Sequence, residues 1–64
     1  MITKYVKAVN TGLGFITHED YDAGMSFEGR MDDYWKVSGD SVDAWIARVG
    51  GTEVTEAEFT ENLA

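Results

Sequence analysis

The sequence predicts an α+β domain: an N-terminal antiparallel β-hairpin, extended by a third strand if residues 25–30 are extended, packed against two or three short C-terminal helices. Three observations predict it. Two runs rich in β-branched and aromatic residues, 2–9 and 13–18, flank the turn signal NTG at 10–12. Residues 42–49 repeat apolar side chains at the spacing of one helix face. The last eleven residues open on a helix-start signature.

The first run, ITKYVKAV, sets Ile2, Lys4, Val6 and Ala8 on one face of a strand and Thr3, Tyr5, Lys7 and Val9 on the other. Asn10 and Gly12 both tolerate the positive φ of a tight turn. LGFITH then reads as the returning strand, with Leu13, Phe15 and Thr17 facing one way and Ile16 the other. Gly14 inside it implies a bulge or a close backbone contact. EDYDAG, 19–24, reads as a polar loop. MSFEGR, 25–30, fits a short third strand carrying Met25 and Phe27 on one face. MDDYWKV, 31–37, spaces Met31, Tyr34 and Trp35 for a short helix, with a strand as the alternative.

The segment 38–51 is a clearer helix. Val42, Trp45, Ile46 and Val49 fall at i, i+3, i+4 and i+7. Ser38 and Asp40 are candidate N-caps. Asp40 and Asp43 near the start and Arg48 near the end suit the helix dipole. Gly50 and Gly51 offer a left-handed stop. In the tail, Thr55 and Glu58 have capping-box spacing, and Val54 and Phe59 the spacing of a hydrophobic staple. Such a helix is too short to stand alone, so Phe59 and Leu63 must dock on the rest.

The 64 residues are read as a single small domain, 1–64, with 44% hydrophobic residues and no cysteine. A chain this small has little stability in reserve, and without cysteine it has neither disulfide nor thiolate-metal staple. What remains is a dense core or a partner. No stretch approaches the roughly 20 apolar residues of a membrane span, and no signal peptide is visible.

The formal net charge is -7 and unevenly placed. Residues 1–18 carry Lys4 and Lys7 and no acid. The rest carry all twelve acids against Arg30, Lys36 and Arg48. Such a surface repels nucleic acid and anionic membrane and favours basic partners.

No catalytic constellation emerges. His18 is the one histidine, and no spacing ties it to Ser26, Ser38 or Ser41. HEDYD offers oxygen and nitrogen ligands but fails the calcium-loop pattern, with Gly24 at the fifth position and Met31 at the twelfth. Neither GxxxxGK nor GxGxxG is present. The expectation is no enzyme, no cofactor and no metal.

Two resemblances remain. VKAVNTGLGFITHED is similar to the first motif of the cold-shock domain, close to V-K-W-F-N, a spacer, then K-G-F-G-F-I-T-P-E-D. Val6, Lys7, Asn10, Gly12, Gly14, Phe15, Ile16, Thr17, Glu19 and Asp20 match in type. The resemblance implies single-stranded nucleic-acid binding by base stacking. The sequence departs at Ala8, Val9 and Leu13, which stand at aromatic positions, and at Thr11, which stands at a lysine. The spacer is shorter, and the second motif is missing from 21–30. The segment is therefore read as a hairpin that reuses a favourable turn, with nucleic-acid binding kept as the alternative. The segment YWK…AWIARVGG with its acidic tail resembles small accessory proteins of bacteriophages and prophages. That implies phage origin, and with it the cytoplasm of a bacterial host or the virion.

The reading is a non-enzymatic, acidic protein-interaction module: a phage virion accessory component or an inhibitor docking on a basic host protein. The expected partner is a basic protein, or failing that a second copy, with no nucleic acid and no membrane. The expected contact is an apolar centre of Met31, Tyr34 and Trp35, rimmed by Asp32 and Asp33.

Overall fold

The computed structural model describes residues 1–30 and 33–61. The chain runs β1 (Ile2–Lys7), α1 (His18–Asp22), β2 (Ser26–Arg30), β3 (Tyr34–Gly39), α2 (Val42–Val49), β4 (Thr52–Val54) and α3 (Glu56–Glu61). The strands form one antiparallel sheet in the order β2-β3-β1-β4. The α+β class is as the sequence predicts.

The partner of β1 is not. The β1 strand pairs with β3, Val6 opposite Trp35 and Lys4 opposite Val37, and on its other side with β4, Val6 opposite Glu53. Residues 13–16 are a turn, and the expected returning strand is absent. Thr17 instead caps α1, so the expected polar loop at 19–24 is largely helical. The cause is local. Thr17 Oγ1 accepts from the Asp20 amide, while the Asp20 carboxylate accepts from the Thr17 amide at 2.8 Å. That reciprocal pair satisfies donors which a strand would have sent to a neighbour. The third strand is β2, paired to β3 with Phe27 opposite Val37. The expected short helix over 31–37 is corrected for residues 34–37: they belong to β3, because alternation buries Trp35 and Val37 on one face.

Pairing register divides the sheet into two faces. Val6, Phe27, Trp35 and Val37 share one, covered by α2 and by the long connection from β1 to β2. The core joins them to Ala8, Phe15, Met25, Val42 and Trp45. Phe15 sits 5.1 Å from the Trp35 ring and 5.3 Å from the Trp45 ring. Gly29 is needed beside this cluster, because a Cβ there would lie 2.6 Å from Trp35 Cζ3.

The α2 helix is as expected in its buried face and in its stop at a left-handed Gly50. Its N-cap is Ser41, with no side-chain cap bond, rather than Ser38 or Asp40; Ser38 is still inside β3. Beside it, Lys4 Nζ lies 2.7 Å from Asp43 of α2 and 3.5 Å from Glu53 of β4. The Asp43 bond raises the Lys4 pKa, and Glu53 adds to it.

The opposite face carries Tyr5, Lys7, Tyr34, Lys36 and Ser38. Over it lies α3, with Phe59 buried and its ring 5.1 Å from Tyr5. Thr55 Oγ1 accepts from the Glu58 amide at 3.1 Å, the cap the sequence foretells. Leu63 lies outside the described residues.

Candidate interaction surface

The structure separates the residues expected to form a contact. Tyr34 and Trp35 are each only 8% exposed. Trp35 belongs to the core, its Nε1 donating to the Ala8 carbonyl at 2.7 Å. Tyr34 faces α3, its hydroxyl 3.4 Å from Glu58 and its ring under the Lys7 ammonium. Neither supplies the exposed apolar centre expected of it, because strand alternation sends them to opposite faces and each face is covered at that point. Asp33 is half-buried, and its carbonyl accepts from the Ala8 amide. Met31 and Asp32 lie outside the described residues.

The connection from Ala8 to Thr17 presents apolar surface instead. It is ten residues without a charge, on a chain of net charge -7. Both ends are pinned by an indole. Trp35 Nε1 holds the Ala8 carbonyl, and Trp45 Nε1 holds the Phe15 carbonyl at 2.8 Å. Arg48 Nη2 donates to the same Phe15 carbonyl at 2.8 Å. Between these pins the chain turns sharply. The Gly12 amide donates to Asn10 Oδ1 at 2.7 Å, and the Phe15 amide to the Gly12 carbonyl at 3.1 Å. Gly12 and Gly14, at φ 89° and 84°, bracket Leu13 in a conformation that side chains disfavour. Leu13 is fully exposed and Val9 is 67% exposed.

An ion pair braces this connection from below. Arg48 grips Asp20 with both terminal nitrogens, Nη1 to Oδ1 at 2.9 Å and Nη2 to Oδ2 at 2.8 Å. Asp20 is buried, and its two bonds from Thr17 complete the set. The bond from Arg48, aided by those from Thr17, lowers the Asp20 pKa to about 2 against the opposing effect of burial. The same bond raises the Arg48 pKa.

Sequence reasoning missed this brace, although a signal was there. Thr17-x-x-Asp20 has the spacing of Thr55-x-x-Glu58, but no apolar helical run follows it, and β-propensity claimed Thr17 first. His18 is exposed on α1, 3.7 Å from Asp22. Among the described residues no group of three histidines or acids converges as a metal site, and no helix is long and apolar enough to cross a membrane. Phe15, the aromatic that the cold-shock resemblance retains, is 2% exposed.

Comparison with protein-family models, curated proteins and solved structures found no match to this chain.

Proposed function

We propose that this chain is a non-enzymatic, acidic protein-interaction module that docks on a basic protein. The phage setting, as a virion accessory component or an inhibitor of a host protein, rests on the sequence resemblance alone. The observation that carries the reading is the disposition of charge. Among the described residues Lys4 is paired with Asp43 and Glu53, and Arg48 with Asp20, which leaves the acid surplus of a chain of net charge -7 unanswered. The exposed Glu19, Asp22, Glu56 and Glu61 then dominate the surface field. Single-strand binding through Phe15 would require that ring to leave the core.

The test is selection from a random peptide library, followed by titration of synthetic winners. Lysine- and arginine-rich peptides should be enriched, and their affinity should fall as salt rises. A fluorescent oligothymidine should show no anisotropy change at physiological salt. Micromolar binding of the oligonucleotide, or enrichment of peptides without basic residues, would overturn the proposal.

A further inference from the structure

We infer that the Val9–Gly14 turn is the apolar anchor of the interface, with Leu13 entering an apolar pocket on a protein segment bordered by lysine or arginine. The inference rests on the acidic-module reading and adds to it where the contact is made.

Three observations carry it. Among the described residues, the exposed large apolar side chains are Met1, Ile2, Val9, Leu13 and Tyr21, and three of these lie on the single connection between β1 and β2. That connection also carries the exposed acids Glu19 and Asp22 on α1. Its first part is uncharged and its second part acidic, which supplies the elements of an interface centre and its rim. The partner chemistry follows from complementarity: an apolar recess for Leu13, and cations to meet the α1 acids.

The third observation is rigidity. An exposed leucine is by itself ordinary. Here two indole N–H bonds hold the base of the loop, and an arginine bonds to one of the same carbonyls. A side-chain turn at Asn10 and a backbone turn at Phe15 shape the tip. Ordering the loop has been accomplished by folding, so a partner need not supply that free energy again. Nothing in the fold requires leucine at position 13, since the side chain is fully exposed.

That exposure makes the test clean. Leu13→Asn and Val9→Ser should leave the circular dichroism spectrum and thermal melt unchanged. With a library-selected basic peptide as probe, Leu13→Asn should weaken binding at least about tenfold, and Val9→Ser several-fold. Glu19→Gln with Asp22→Asn should flatten the salt dependence. Basic peptides that bind the Leu13→Asn and wild-type proteins within twofold would overturn this assignment while leaving the acidic-module reading standing. Failure to select basic peptides would overturn both. Sedimentation of the protein alone is the second arm. A monomer fits the assignment, whereas a dimer lost in Leu13→Asn would mean that a second copy covers the tip, which overturns it.

Discussion

The two faces of the sheet are closed by different means. The first is sealed by α2 and the β1–β2 connection, with Phe15 between two tryptophans and Phe27 5.1 Å from Trp45. The polar atoms driven inside by that closure find partners: both indole nitrogens bond to backbone carbonyls. Among the described residues no buried side-chain nitrogen or oxygen lacks one. Among the described residues the second face is covered at one end only. There α3 rests on Tyr5 through Phe59 and meets the Tyr34 hydroxyl through Glu58, while Thr3, Ser26 and Lys36 stay exposed. A sheet needs one dry face to fold. The second can be left to a helix of six residues, which has no stability apart from its docking.

The largest expected effect breaks the first face. Trp45 is 1% exposed and touches both Phe15 and Phe27. Trp45→Ala should cost about 3–5 kcal/mol. A domain of this size has roughly 3–10 kcal/mol in all, so the variant should lose about a third or more of its stability, read as a large drop in the thermal midpoint by circular dichroism. A cooperative melt near the wild-type midpoint would show that the faces do not differ in the way described.

Phe59→Ala is the matching test of the second face. Phe59 is 4% exposed, and its loss should cost about 3 kcal/mol locally. Hydrogen exchange should speed up over α3 and β4 while β1, β3 and α2 remain protected. Uniform loss of protection would mean that the two faces fold as one unit.

The difference between the faces also governs what could be read from the sequence. The α2 face was legible because Val42, Trp45, Ile46 and Val49 keep helical period across two turns. The α3 cap was legible because Thr55, Glu58 and Phe59 form a local signature. The sheet was half legible. Alternation marked β1, but its neighbours β3 and β4 are distant in sequence, and no local pattern names a non-local partner. The glycine turn after β1 promised a hairpin and made a crossing. Trp35 looked like an interface residue for the same reason: its burial depends on Ala8, Phe15 and Gly29 arriving from elsewhere. The Leu13 tip was invisible while Leu13 counted as half of a strand.

Acid should weaken the first face through the Asp20–Arg48 pair that braces the β1–β2 connection. The Asp20 carboxyl titrates at about 2 in the fold against an ordinary 3.8, held down chiefly by Arg48. A lowered folded pKa stabilises the fold above the unfolded value and is lost as pH falls through the folded one. The contribution should therefore be complete above about pH 4 and gone below about pH 2, on the order of 2 kcal/mol. Urea midpoints across that range should fall for the wild type, and fall less for Asp20→Asn. Equal slopes would show that other carboxylates carry the acid sensitivity.

The smallest effect sharpens the second face. Thr55 caps α3 by accepting from the Glu58 amide, and Thr55→Ala should cost about 1 kcal/mol. That bond exists only while α3 is folded against Tyr5 and Tyr34. In a Phe59→Ala background the helix is already released, so the second substitution should add less than about 0.3 kcal/mol. The single and double variants form a cycle whose coupling should approach the whole of the Thr55 effect. Full additivity would mean that the cap holds without the docked phenylalanine, and that α3 owes its order to its own termini rather than to the face it covers.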